Sequence, residues 1–256
     1  MTSGGCAGLT FSAKRSKIAE KHAPDPARGK EGRLLKKDRV ANPVIGRLPR
    51  YYRCVEELYL VGCVRVSSAT LSQRLGFTAS QIRQDFSNFG EFGQQGYGYN
   101  VRKLRYEIRE ILGLNSRNTA ILVGCGNLGQ ALLKNFDFES CGFFMLAAFD
   151  IDPAKADTYV GSVPVMDMGL LERFVASEKP SMAVLTVSRD SAPEAAARLA
   201  DLGIQAIWDF VGGDLQLGDR DVLVEHVSFS DSLLTLSYRL NQRRGPEEPD
   251  IPPDLQ

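Results

Sequence analysis

Three glycines, Gly124, Gly126 and Gly129, stand in the run NTAILVGCGNLGQALLKN at a spacing suited to phosphate chemistry. The first permits a tight turn out of a strand, and the second leaves room for a pyrophosphate against the backbone. The third lets the following helix pack closely on that strand. The N-terminus of that helix offers free N–H groups and the positive end of its dipole. Cys125, Asn127 and Leu128 complete the loop. Cys125 reads as a small loop side chain rather than a redox sensor. A second strand, FFMLAAFD, ends in Asp150, 21 residues after Gly129. A carboxylate there can accept the hydroxyls of an adenosine ribose and repels a 2′-phosphate, which favours NAD(H) over NADP(H). The plainer alternative is an exposed strand-end acid, but the glycine motif favours the ribose role.

A second set of side chains suits nucleic acid. Ser80, Gln81, Arg83 and Gln84 lie at the polar front of SQIRQDFSNFG. In a major groove Arg83 can pair bidentately with guanine, and Gln81 or Gln84 with adenine. The glycine-rich EFGQQGYGYN follows and suits a β-hairpin wing, with Gln94, Gln95 and Tyr97 placed for phosphate or minor-groove contact. Arg50, Arg53, Arg65 and Arg74 are available for phosphates, which supply affinity without sequence choice.

The elements that must hold these residues can be read from periodicity. Leu48, Tyr52, Val55, Leu58 and Tyr59 recur at helical spacing and predict a helix ending near Gly62. Ser68 precedes a short helix stopped by Gly76. Thr78, with Gln81 three residues on, predicts a capping box opening a recognition helix over about 79–89, with Ile82, Phe86 and Phe89 facing inward. Two short helices and a wing read as a helix-turn-helix. Beyond residue 118, strand-type runs such as MAVLTV and QAIWDF alternate with helical runs such as PEAAARLADLG, which argues for a parallel α/β sheet. SFSDSLLTLSYRLNQRR reads as a last helix with a broad apolar stripe. That stripe suits packing on its own domain or against a second subunit.

Charge divides the chain the same way. The 31 basic and 31 acidic side chains cancel overall. By position they give +6 over residues 1–42, +5 over 43–117 and −11 over 118–256. The basic half is the half expected to meet nucleic acid. Hydrophobic residues make up 43%, enough for a core. No run is long enough to span a bilayer, and the N-terminal charges are followed by no secretory apolar segment. Cys6, Cys54, Cys63, Cys125 and Cys141 are odd in number, lack metal spacing and read as free thiols of a cytoplasmic protein. His22 and His226 are the only histidines. No catalytic triad, Cys–His pair or metal set is recognisable, so a sensed nucleotide fits better than a reacting one.

The expected organisation is therefore a basic disordered tail (1–42), a winged-helix DNA-binding domain (43–117), a Rossmann dinucleotide domain (118–227), a C-terminal helix (228–244) and an acidic disordered tail (245–256). The stretches RLPRYYR (47–53), RVSSATLSQRLGFTASQIRQDFSNFGEFGQQGYGYNV (65–101), VGCGNLGQALL (123–133), AAFDIDP (147–153) and VGSVPV (160–165) resemble the Rex family of redox-sensing transcriptional repressors. The resemblance covers about residues 43–240. It implies a homodimer with exchanged C-terminal helices, bound to palindromic operators and released by NADH but not by NAD⁺. It also implies a pyrophosphate loop at Gly124–Gly129, a ribose acid at Asp150 and a recognition helix at about 79–89.

The chain departs from the family pattern at four places. Asn135 (or the adjacent Phe136) stands where a Tyr is usual and Ser228 where an Asp is usual. In the family that pair, with the Arg matching Arg53, relays redox state to the DNA-binding domain. TVSRDSA (186–192) and DFVGGDL (209–215) replace TVP-type and NFAP-type loops. The leading expectation is an NADH-sensing repressor. Its alternatives are a DNA-binding paralogue with lost or altered nucleotide response and an NAD-dependent oxidoreductase.

Overall fold

The computed structural model describes residues 40–90, 92–94 and 97–244. Residues 1–39 and 245–256 of the expected tails, and Gln95, lie outside the described residues, whereas Asn42, expected to end the first tail, already belongs to a helix. Helix α1 (Asn42–Leu60) opens with Pro43 in its first turn, where a missing N–H costs nothing. It buries Val44, Leu48, Tyr51, Cys54, Val55 and Leu58. The expected face is thus turned slightly: Tyr51 points in, while Tyr59 is exposed. A β-strand, β1 (Arg65–Val66), leads to α2 (Ser68–Leu75). The cap of α2 is Ser67, not Ser68: its hydroxyl accepts from the Thr70 N–H at 3.0 Å. Gly76 ends the helix at φ 74°, a conformation that favours glycine.

Helix α3 (Ala79–Ser87) starts at Thr78, whose hydroxyl accepts from the Gln81 N–H at 3.1 Å. Ile82 and Phe86 are buried, whereas Phe89 lies beyond the helix and is half-buried. Strands β2 (Gly93–Gln94) and β3 (Gly98–Asn100) form the hairpin, and β1 completes an antiparallel sheet in the order β1-β3-β2. Helix α4 (Val101–Ile111) is capped by Asn100 and packs back on α1. There Arg105 clasps Glu56 through two bonds of 2.5 and 2.9 Å. Tyr51, Leu71, Ile82, Leu104 and Ile108 are wholly buried among these elements.

The second unit is a seven-stranded sheet. Its elements are β4 (Asn118–Val123), α5 (Asn127–Asn135), β5 (Phe143–Asp150), β6 (Thr158–Val160), β7 (Val163–Asp167), α6 (Leu171–Glu178), β8 (Met182–Leu185), α7 (Ala192–Asp201), β9 (Ala206–Asp209) and β10 (Leu223–His226). The strand order is β10-β9-β8-β4-β5-β7-β6. All neighbours are parallel except β6, which returns antiparallel on β7 through a hairpin that periodicity does not reveal.

The alternation of β4 shows why both faces are covered. Ile121 and Val123 join one apolar cluster with residues of α6 and α7, while Ala120 and Leu122 join another with residues of α5. The chain builds outward from β4 through β5 to β7 and then returns to place β8 on the other side of β4. The carboxyl ends of β4 and β8 therefore flank a topological switch point, where such sheets bind ligands. The C-terminal helix α8 (Phe229–Arg244) leaves Phe229, Leu233, Leu234, Leu236, Tyr238 and Leu240 exposed. Among the described residues no helix is long and apolar enough to cross a membrane.

Candidate functional site

Glycine performs three different tasks at the switch point. Gly124 holds φ 96°, and a Cβ there would come within 2.7 Å of the backbone of Thr186 and Val187. At Gly129 a Cβ would meet the Gly124 carbonyl oxygen and lie 3.1 Å from Leu122. At Gly126, by contrast, a Cβ would meet nothing within 4 Å. The loop is closed at its ends and open at its middle, the shape a pyrophosphate requires. Gly126 is also the N-cap of α5, so no side chain caps the N–H groups there. Thr186, from the end of β8, fixes the loop by donating to the Gly124 carbonyl at 2.7 Å.

The remaining loop residues take different positions. Asn127 and Leu128 are exposed on the first turn of α5, while Cys125 is buried. Burial, and then the Asp150 carboxylate, push the Cys125 thiol up from its ordinary range, which opposes thiolate chemistry. Asp150 ends β5 beside the loop and is 7% exposed. Its Oδ1 accepts from the Asp152 N–H at 2.9 Å, and its Oδ2 from the Lys155 ammonium at 3.1 Å. Each oxygen has a second lone pair free of these donors. The group therefore keeps acceptor capacity for ribose hydroxyls. These residues fit an adenine dinucleotide: an unfilled cradle at Gly126, an uncapped helix end and a part-satisfied acid.

A pair on the next strands, a buried acid and an exposed histidine, has no signal in local spacing. Asp209, wholly buried at the end of β9, accepts from the Val211 N–H and lies 2.8 Å from His226 Nδ1 on β10. His226 thus orients a strand-end carboxylate. Asn135 donates to the Ala131 carbonyl of its own helix at 2.9 Å, and Ser228 caps α8 by accepting from the Asp231 N–H. Among the described residues no cluster of His, Cys, Asp or Glu could hold a metal ion.

On the winged helix, Ser80, Arg83 and Gln84 are exposed on α3. Arg83 reaches Ser68 at the start of α2, with 3.0 Å between Nη1 and Oγ. Gln81 behaves differently. Its amide donates to Asp85 Oδ1 at 2.8 Å instead of closing the capping box. Asp85 is the residue that sequence reasoning misses. It is 1% exposed and also receives Arg47 through two bonds of 2.6 and 2.8 Å and the Tyr51 hydroxyl at 2.6 Å. Burial works to raise this carboxyl, but the Arg47, Tyr51 and Gln81 donors outweigh it and hold it below the ordinary range. The same burial and carboxylate push the Tyr51 hydroxyl up. The cluster ties α3 to α1.

The other expected DNA residues are not all gathered at that face. Tyr97 is exposed at the wing tip, where its carbonyl accepts from Arg65 at 3.0 Å. Gln94 lies in β2, paired with Gly98. Arg50 bonds the Leu75 carbonyl and sits 4.4 Å above the Phe77 ring. With Arg53, Cys54, Glu57 and Arg74 it lines a groove of about 280 Å³. That groove lies at the carboxyl end of α2, whereas Arg83 meets the amino end.

Comparisons with known proteins divide the chain at the same place. A family model described as "Putative DNA-binding protein N-terminus" matches residues 39–87, and one described as "CoA binding domain" matches 115–213. A redox-sensing transcriptional repressor Rex of Caldanaerobacter subterraneus subsp. tengcongensis is 49% identical over 209 residues, 82% of this chain and 93% of that protein. The Rex of Clostridioides difficile is 42% identical over 82% of this chain and 99% of its own. Among solved structures, RSP in complex with β-NAD⁺ and operator DNA superposes with a TM-score of 0.76 at 47% identity, covering 80% of this chain and 94% of that one. RSP in complex with β-NADH gives 0.73 at 44% identity, covering 80% and 96%.

Proposed function

The chain belongs to the Rex family of redox-sensing transcriptional repressors, and from that premise we propose that it is a DNA-binding repressor that releases its operator when NADH binds. The observation that carries this reading is the open cradle at Gly126 beside Asp150, in one chain with a winged helix whose α3 presents Ser80, Arg83 and Gln84. The nucleotide is a signal: the partner of the Rossmann unit is a DNA-type module, not a substrate domain. It acts in the cytoplasm, where operator and nicotinamide pool are both present.

In this reading Gly124–Gly129 and the first turn of α5 hold the pyrophosphate, and Asp150 holds the adenosine ribose. Bound NAD(H) supplies a nicotinamide whose charge and shape differ between its two redox states. This chain's residues convert that difference into subunit position. Two copies pair through the exposed apolar stripe of α8. The operator-competent arrangement sets the recognition helices about one DNA turn apart, ~34 Å, or a multiple of it. NADH must favour a different arrangement, because a ligand of equal affinity for both shifts nothing. Arg83 and Gln84 read bases, while Arg65, Tyr97 and the wing bind phosphates. Gln81, held by Asp85, positions the helix.

The test is selection of palindromic DNA from a random pool by the immobilised protein, followed by elution with NADH or NAD⁺. Elution by NADH alone is expected; equal elution by both, or by neither, removes the sensor. A second reading rests on Asn135, which is satisfied within its own helix where the family pattern has Tyr. In that reading the operator is bound but the nucleotide response is altered. Elution by another adenine nucleotide in place of NADH distinguishes it. An absorbance assay of NADH turnover checks the oxidoreductase alternative.

A further inference from the structure

The acid assigned to the ribose does not face the crevice alone. Asp150 ends β5, and the chain then turns sharply through IDPAK. The turn is pinned at each step. The Asp152 N–H donates to Asp150 Oδ1, the Ala154 N–H to Asp152 Oδ1 at 3.0 Å, and the Lys155 N–H to the Asp152 carbonyl at 3.0 Å. The Thr158 hydroxyl then donates to the Lys155 carbonyl at 2.6 Å. The backbone of Lys155 is therefore fixed, and its side chain is returned toward the strand it came from. The ammonium sits 3.1 Å from Asp150 Oδ2 and 3.8 Å from Asp152 Oδ2.

This placement bears on which dinucleotide the site accepts. A lone carboxylate repels a 2′-phosphate by Coulomb's law, and that repulsion is the basis of choosing NAD(H). Here a fixed cation stands within bonding distance of the same carboxylate. Toward a neutral ribose hydroxyl the cation matters little, because Asp150 keeps a free lone pair on each oxygen. Toward a phosphate dianion it matters directly, since it offsets the nearest negative charge.

We propose that Lys155 is a specificity-determining residue, setting how strongly the nucleotide site discriminates against a 2′-phosphate. The proposal rests on the reading of Asp150 as the ribose acid. Discrimination belongs to the Asp150–Lys155 pair and is shallower than Asp150 alone would give.

Isothermal titration of the full-length protein with NADH and with NADPH tests this, using wild type, Lys155→Met, Lys155→Arg and Asp150→Asn. Lys155→Met is expected to weaken NADPH binding roughly tenfold, as loss of one partly screened charge would, and to change NADH binding by less than about threefold. Lys155→Arg should retain the wild-type ratio. The gap between wild type and Lys155→Met should narrow as salt rises from about 0.05 to 0.5 M, which loss of a purely structural contact would not produce. Asp150→Asn should weaken NADH and erase discrimination. An NADH/NADPH ratio unchanged by Lys155→Met overturns the proposal, even if both nucleotides bind. If wild type fails to bind NADH at all, the ribose assignment fails first and takes the proposal with it.

Discussion

Asp85 and Asp150 are both carboxylates with little exposure, one in each unit, and their surroundings differ in one decisive way. Asp85 receives four hydrogen bonds from Arg47, Tyr51 and Gln81, all from α1 and α3. Its acceptor sites are filled from within. Asp150 receives two, from Asp152 and Lys155, at the open end of a strand. Half its capacity is left over, beside a glycine loop with empty space at its centre. Internal saturation makes Asp85 a strut, and partial satisfaction at a crevice suits Asp150 to the receptor role proposed for it. The DNA-binding unit thus uses its buried charge to hold a helix still, while the Rossmann unit keeps its charge available to a ligand.

The largest effect expected from this contrast is at the strut. Asp85→Ala strands the Arg47 guanidinium and the buried Tyr51 hydroxyl, and should cost about 3–5 kcal/mol of winged-helix stability. Denaturant unfolding followed in that unit checks it. Loss below about 1 kcal/mol would show that water replaces the carboxylate, and the strut would lose its meaning. At the receptor, Asp150→Ala should cost less stability than the strut does, about 1–2 kcal/mol for the donors of Asp152 and Lys155, and weaken NADH by about 1.5–3 kcal/mol, the worth of hydrogen bonds to a charged group. Calorimetry measures the second figure and thermal melting the first.

Arg83→Ala should cost about 1–3 kcal/mol on the selected operator and far less on random DNA. Equal loss on both would make Arg83 a phosphate contact. The smallest effect concerns acid. Asp85 and Glu56 are held below the ordinary carboxylate range, Glu56 chiefly by Arg105. Groups depressed in the folded state contribute stability that is complete above their unfolded values and is lost as pH falls through the folded ones. Operator-domain stability should therefore be flat near neutrality and decline below about pH 4, with a shallower decline in Asp85→Asn.

Much of the proposed receptor's geometry is legible in the amino-acid sequence, because its requirements are written in spacing. Gly124, Gly126 and Gly129 encode a turn, an approach and a close packing that local geometry alone imposes. Asp150 follows from the strand that carries it. The strut is not legible in the same way. Asp85 reads as one more polar residue on a polar helix. Yet the period that places Ile82 and Phe86 inward places residue 85 between them, and that is the available signal. Gln81 is hard to read for the same reason: its amide has a partner four residues on, at Asp85. Charge alone groups Arg50 and Arg53 with Arg83, whereas α2 separates them. Lys155 and the Asp209–His226 pair depend on strand-end turns and neighbouring strands that no short window contains.

The central claim is that the receptor end governs the strut end: nucleotide at Gly126 and Asp150 changes how α3 meets DNA. Its most direct test is fluorescence anisotropy of a labelled operator palindrome bound by the full-length protein, titrated separately with NADH and NAD⁺. NADH should release the operator while NAD⁺ leaves it bound, and Asp150→Ala should shift the NADH midpoint about 10- to 100-fold higher. Operator affinity unchanged by saturating NADH, with NADH binding confirmed on the same sample, would contradict it.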